Sequence, residues 1–364
     1  MSSCPRHAIT LFVCAVCCST VTATAATPTS ATAPVVIVGH GLGHGIGLSQ
    51  WGAEVRAGAG QTTAQILRFY YPHTTLGRAG AAAFAPVRVL VAEAPAFKTG
   101  ARGSFRARDA RGRTVMLSGL QTATAHSFGS THLAFPIELT PDARHLRVGG
   151  LPYAGSIRLV RHGALVDAVN IVSVEDYVRG VVSAENPAYW HPAALRAQAI
   201  AARSYVLAHR RARASYDVFP DDRSQNYRGL ARSFPTTRRA VSATAGKVLR
   251  YRGRIADAMF SASNGGLTSA GPAPYLVKRL DPFDARSPAA DWGPVTVSAR
   301  RLASALPGLP APVTALAFTY NTSQRVAGVT LELGNGASQQ LSGFEFQQRL
   351  GLRSTYFELA THPS

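Results

Sequence analysis

The chain has few cysteines, few lysines and few acids, and each shortage removes a class of explanation. All four cysteines, Cys4, Cys14, Cys17 and Cys18, stand within the first 18 of 364 residues. That stretch reads as a leader, with Arg6 and His7 ahead of an apolar run from Ala8 to Cys18 and small residues onward to Ala26. The pattern is that of a secretory signal peptide spanning residues 1–26, too short to persist as a bilayer span. Cleavage is expected after Ala25 or Ala26, and a lipoprotein is disfavoured because none of Cys14, Cys17 and Cys18 follows a small residue. A mature chain of residues 27–364 would then have no disulfide, no thiolate nucleophile and no cysteine-bound zinc. No later run reads as a transmembrane segment, so the expectation is a secreted protein of the cell envelope.

Acids number 19 against 38 basic residues, of which only Lys98, Lys247 and Lys278 are lysines, and the net charge is +19. In a cytosolic protein this surplus would suggest nucleic acid. Here the arginines are dispersed, and no RNP, zinc-finger or helix-turn-helix pattern accompanies them, so nucleic acid is not an expected partner. An exported chain of this charge would meet anionic wall polymers instead. Plain solvation of the arginines explains the composition equally well. Hydrophobic residues make up 46%, enough for a large globular core.

What is there is a helix break around one carboxylate. Ser173-Val-Glu-Asp176 resembles a capping box and predicts a helix from Val174 to about Ala184. Asn186-Pro187 ends it, because the residue before a proline is pushed out of the α region. Pro192 suits a first helical position, and a second helix is expected to run to about Arg213. Its core face carries Leu195, Ala199, Ala202 and Val206 at helical spacing. Glu185 falls at the break, where a proline and two aromatics, Tyr189 and Trp190, can exclude water. Such surroundings raise a carboxyl pKa, as a general acid near neutral pH requires. On the second helix Arg196, Arg203 and Arg210 form a stripe flanked by Ile200 and Leu207. Arg196 and Arg210 can snorkel to solvent, whereas a buried Arg203 needs an acid, with Glu185, Glu175 and Asp257 as candidates.

A strand at Pro34–Val38 leads into Gly39-His40-Gly41-Leu-Gly43-His44-Gly45-Ile-Gly47-Leu-Ser49-Gln50-Trp51-Gly52-Ala53. No register of these glycines gives a dinucleotide fingerprint. Trp51 also stands where a nucleophile elbow needs glycine. His40, His44, Gln50 and Trp51 offer donors and a flat apolar face, which suits a sugar ring. Metal binding by the two histidines is disfavoured, since an alternating-glycine loop frames ligands poorly.

Residues 85–166 alternate apolar and polar in short runs, as at Val87–Val91 and Ser156–Val160, and read as a β-rich portion. Two further strand-like runs are expected at Ala240–Tyr251 and Ile255–Thr268. The tail carries a helix at Ala299–Ala305 and strands near Ala315–Tyr320 and Val326–Leu333.

Taken together these segments resemble the SpoIID/LytB family, the sporulation stage II D proteins and amidase enhancers, over most of residues 35–358. The resemblance rests on the glycine-histidine signature and on Asp176–Tyr205. It rests also on Ser224-Gln225-Asn-Tyr227-Arg-Gly229, on Thr244-Ala-Gly246-Lys-Val248, and on Ser263-Asn-Gly265-Gly266-Leu-Thr268. It implies an α+β fold, a single elaborated SpoIID-like domain with a β-rich N-terminal half and a two-helix catalytic segment. Its parts are 35–84, the signature; 85–166, the β-rich portion; 167–285, the catalytic core; and 286–364, the C-terminal portion. It implies that Glu185 is the acid/base of a peptidoglycan lytic transglycosylase acting on glycan stripped of peptides. Substrate contacts are then expected from His40, His44, Gln50, Trp51, Arg203, Tyr205, Gln225, Tyr227, Ser263, Gly265, Gly266 and Thr268. Sporulation-type members hold zinc through cysteines and a histidine, but Ser224 stands where the cysteine would be, so no metal and no cofactor are expected. Partners would be peptidoglycan glycan strands and a cell-wall amidase. The rival reading is a wall-binding enhancer of an amidase with no turnover of its own.

Overall fold

The computed structural model describes residues 29–30, 34–143 and 145–360, so the leader with its cysteines and cleavage site lies outside the described residues. Seven α-helices occur among them: α1 Gln50–Gly58, α2 Thr63–Tyr70, α3 Val174–Glu185, α4 Pro192–Ala208, α5 Pro235–Ala243, α6 Ala299–Ala305 and α7 Gly343–Leu350.

The β-rich portion forms an eight-stranded sheet. Its path runs Leu151–Tyr153, Leu146–Val148, Ala96–Arg108, Ile137–Pro141, Ser156–His162, Leu165–Val172 and Val87–Ala94, with Thr114–Thr124 also paired to the long strand Ala96–Arg108. All its pairings are antiparallel. In the strand Leu165–Val172 the residues Val166 and Ala168 are fully buried, and they share one core with Tyr177, Val178, Val181 and Val182 of α3. Each such buried valine is worth about 1.5–3 kcal/mol relative to exposure. The sheet therefore fixes the helix that ends in Glu185.

Helix α4 is buried on nearly all sides, and the structure explains why. Leu195, Ala199, Ala202 and Val206 join the sheet-side core, while Ala193, Ala194, Ala197, Ile200 and Ala201 belong to another core with α1 and α2. A helix buried on both faces carries apolar residues on both, and its alanines let neighbours come close. It ends at Ala208, five residues earlier than the spacing predicts, where Arg210 turns back to donate to the Pro86 carbonyl at 2.6 Å. The run from Ala240 also departs from expectation: Ala240–Ala243 close helix α5, and only Lys247–Tyr251 is a strand. Pro235 at the first helical position is the local signal for that helix.

The two ends of the described chain meet. Strand Val35–His40 pairs with Asp291–Val297 on one side and Phe357–Leu359 on the other. Around it α6, α7 and the sheet of Val313–Tyr320, Val326–Leu333 and Ser338–Ser342 build a third core. The glycine-histidine segment leaves this core directly and reaches α1.

Candidate functional site

Glu185 is the last residue of α3. Ser173 starts that helix, its hydroxyl accepting from the Asp176 amide at 3.1 Å. Asn186 is extended (φ −123°, ψ 141°), as the following proline demands. A carboxylate at a helix C-terminus faces the negative end of the dipole, which also disfavours its charge. The Gln50 amide donates to Glu185 Oε2 at 3.1 Å, and the Asn226 backbone N–H donates to Oε1 at 2.8 Å. Both bonds favour the ionised form, yet burial outweighs them and the Glu185 carboxyl is pushed above the usual glutamate range. Of the two aromatics beyond the break, Trp190 is buried and packs edge-on to Trp51 at 4.9 Å, whereas Tyr189 is 82% exposed.

Gln50 is held by its own helix. Ser49 caps α1, its hydroxyl accepting from the Gly52 amide at 3.0 Å and donating to Asp284 Oδ1 at 2.6 Å. The other oxygen of Asp284 accepts from the Ser263 hydroxyl and the Gly265 amide, each at 2.7 Å, and from the Gly266 amide at 3.3 Å. Burial pushes the Asp284 carboxyl up while these donors oppose the shift. Asp281, fully buried, accepts from Arg56 at 2.7 Å, Tyr70 at 2.6 Å and Asn264 at 2.9 Å. The two acids thus tie the serine-glycine turn to the start of α1. The sequence signal for this pair is Asp281-Pro-Phe-Asp284, two acids close together in an acid-poor chain.

The expected contact residues separate into groups. Gln50 touches Glu185, and half-buried Trp51 stands beside it in sequence, against Trp190. Gln225 and Tyr227 are buried braces: Gln225 donates to the Tyr177 hydroxyl at 3.3 Å, and the Tyr227 hydroxyl donates to Asn170 Oδ1 at 2.8 Å. With both pointing inward, Asn226 between them offers its amide to Glu185, a role the sequence does not display. Ser263, Gly265 and Gly266 serve Asp284, and the Thr268 hydroxyl donates to the carbonyls of Val277 and Arg279. Tyr205 stacks on His209 at 4.0 Å and meets the Phe260 ring at 6.5 Å.

Arg203 differs from the expected substrate contact. It is fully buried and forms a two-point pair with Glu175, Nε to Oε1 at 3.0 Å and Nη2 to Oε2 at 2.7 Å, with further bonds to the Ala199 and Lys247 carbonyls. Its donors are occupied by protein acceptors because α4 has core on both sides. Of the three candidate acids, Glu175 is therefore the partner.

The two histidines also part company. His40 pairs with Asp291 at 2.6 Å, and its ring lies 4.8 Å from Tyr356. It lines a cavity of about 450 Å³ with Tyr320, Gln324 and Glu358, to which Glu185 does not contribute. Although His44 reaches the surface, desolvation, helped by the Arg325 charge, holds its pKa down to about 4. Its Nδ1 accepts from the Ile46 amide at 2.9 Å, and the Phe260 carbonyl takes its other ring N–H. A neutral His44 anchors the loop. Gly45 must be glycine there, with φ +69° and a Cβ position 1.8 Å from Arg325 Nη2. Ser224 accepts from the Phe219 amide at 3.1 Å, as a loop brace.

Residues 162–251 match the sequence profile of the family described as Stage II sporulation protein. The chain is 33% identical over 124 residues to an uncharacterised protein of Brachyspira hyodysenteriae, covering 33% of this chain and 34% of that protein. It is 37% identical over 114 residues to the amidase enhancer of Bacillus subtilis, covering 29% and 15%. It is 30% identical over 218 residues to Stage II sporulation protein D of Bacillus amyloliquefaciens, covering 52% and 61%. The matched stretches thus span from 15% to 61% of the length of these relatives.

Proposed function

We propose that this chain, whose residues 162–251 form a SpoIID-family segment, works on the bacterial cell wall outside the cytoplasm as a lytic transglycosylase with Glu185 as its acid/base. The observation that carries the reading is the state of Glu185: a carboxyl with raised pKa at a helix break, steadied by one side-chain amide and one backbone amide. The two other acids of the same helix are committed elsewhere. Glu175 is paired with Arg203 and accepts from the Gly246 amide, while Asp176 accepts from Ser173 and Arg179.

One such group suffices for an intramolecular displacement. Protonated Glu185 gives its proton to the oxygen linking N-acetylmuramic acid to N-acetylglucosamine as the bond from that oxygen to the muramoyl C1 breaks. The carboxylate then takes the proton of the muramoyl 6-hydroxyl as its oxygen bonds to C1, leaving a 1,6-anhydro end and restoring the acid. No water is consumed, so the second carboxylate that most glycoside hydrolases use is not needed. The donors to Glu185 stabilise the carboxylate after the first transfer. Peptide-stripped glycan strands are the expected substrate.

The test is Glu185→Gln, which keeps the shape and a donor but has no proton to lose. Turnover should fall by about 10²–10⁴-fold, with glycan binding retained. Mass spectrometry of peptide-free strands should show products lighter by one water than hydrolysis gives, present with wild type and missing with the variant. The name of the Bacillus subtilis relative favours a second reading, an enhancer of a cell-wall amidase. That reading replaces the first if wild type makes no anhydro ends while wild type and variant stimulate an amidase equally.

A further inference from the structure

Three polar side chains meet on the large sheet, on strands that contribute nothing to Glu185 beyond support. Asp167 stands directly opposite Glu93 in the antiparallel pairing of Leu165–Val172 with Val87–Ala94. His162 faces Leu165 across the next hairpin, and Leu165 and Asp167, two apart on a strand, share one face. The result is a cluster in which one ligand atom from each residue lies within 4.8 Å of the other two.

The cluster does not satisfy itself. His162 Nδ1 lies 3.8 Å from Glu93 Oε1 and 3.8 Å from Asp167 Oδ2, both too long for hydrogen bonds. Like charges directly opposite on neighbouring strands are destabilising. Among the described residues neither acid has an arginine ion pair, although the chain carries a large basic surplus. Asp167 is only 5% exposed, and its Oδ1 is buried without a hydrogen-bond partner. A buried carboxylate of this kind needs a compensating charge.

We propose that Glu93, His162 and Asp167 form a divalent-cation site and that its occupant is Zn²⁺. One imidazole nitrogen with two carboxylate oxygens is a donor set that suits zinc better than calcium or magnesium. Bonds of about 2.0–2.2 Å in a tetrahedron place donors roughly 3.3–3.6 Å apart. The two spacings from His162, 3.8 Å each, need to close by a few tenths of an ångström, and the two carboxylate oxygens already lie within 4.8 Å of each other. Asp167 is the fixed ligand; Glu93 and His162 are exposed enough to swing in. The fourth position is left to water. Bound metal would join Ser156–His162, Leu165–Val172 and Val87–Ala94, the strands whose buried faces carry α3. The site is structural and independent of the glycan chemistry, so either reading can fail alone.

The experiment uses the full exported chain without a histidine tag, freed of metal by chelator and titrated calorimetrically with Zn²⁺, Ca²⁺ or Mn²⁺ alone. One Zn²⁺ per chain is expected, with a melting temperature raised by a few degrees on saturation. His162→Ala and Asp167→Asn should each weaken Zn²⁺ by about 100-fold or more, beyond the loss typical of a supporting residue. Asp167→Asn should also raise the melting temperature of the metal-free chain, because it removes a like-charge contact. A purely structural Asp167 would instead make that variant less stable with and without metal. Should a variant not fold, Glu93→Gln, on a half-exposed side chain, tests the same loss. The proposal is overturned if wild type shows no saturable 1:1 binding below about 1 mM. It is overturned too if binding is unchanged in the variants, or if Ca²⁺ or Mn²⁺ binds more tightly than Zn²⁺.

Discussion

Glu185 is held between opposing influences: burial and the helix end raise its pKa, and two donors lower it. An acid whose folded pKa is raised is protonated, and ready to donate, up to that raised value. Activity that needs the proton is lost as pH climbs through it. Replacing Gln50 by leucine removes one donor to the carboxylate, so the pKa should rise further and the alkaline limb of the pH–rate profile should move upward. A hydrogen bond to a charged group is worth about 1.5–3 kcal/mol, which corresponds to a shift on the order of one unit. NMR titration of the Glu185 carboxyl carbon reads the same shift without turnover. A limb that moves down, or a carboxyl that titrates unchanged, would show that Gln50 does not stabilise the charge. Glu185 itself was visible in the sequence because Asn186-Pro187 marks the break. Asn226 was hidden, since a backbone amide leaves no trace in residue type.

At the scale of elements, α3 and α4 are legible because Ser173, Pro187 and Pro192 punctuate them locally. The pairing between them was not, because three acids were compatible with the arginine stripe. The structure selects Glu175, which locks the first turn of α3 to the middle of α4. Removing one partner of a buried pair strands the other, at a cost of about 3–5 kcal/mol. Arg203→Met should therefore destabilise the chain by about 3 kcal/mol in denaturant unfolding. Arg210→Met should cost less, because the Arg210 side chain is a quarter exposed and its partner Asp217 keeps Arg88. Replacing both Arg203 and Glu175 by methionine should recover part of the loss, since no lone charge is left buried. Equal losses for the two single variants would mean that the buried pair is not the tie between the helices.

Over the whole molecule, the +19 charge is the property most open to test. If it helps retain the protein at the envelope, co-sedimentation with an anionic wall polymer should be strong at low salt. It should fall steeply by about 0.5 M, where the screening length drops below about 5 Å. Retention that ignores salt would assign binding to specific contacts instead. No helix among the described residues is long and apolar enough to cross a membrane. The meeting of strand Val35–His40 with Phe357–Leu359 explains how a signature at one end of the sequence and a tail at the other serve one assembly.

The amino-acid sequence by itself determined what depends on neighbours along the chain: the two helices around Glu185, the break at which it sits, the β alternation of residues 85–166 and the helix at Ala299–Ala305. These follow from caps, prolines and periodicity, which act over a few residues. It also carried the family resemblance, because the motifs are contiguous. Only the tertiary structure decided which donors reach Glu185, that Gln225 and Tyr227 are buried and bonded to Tyr177 and Asn170, and that Arg203 is consumed by Glu175. It alone set Asp281 and Asp284 beneath the glycine turn and brought Glu93, His162 and Asp167 onto one face. Each of these depends on distances between residues far apart in the chain. Such distances are set by how layers pack, and packing has no local signature.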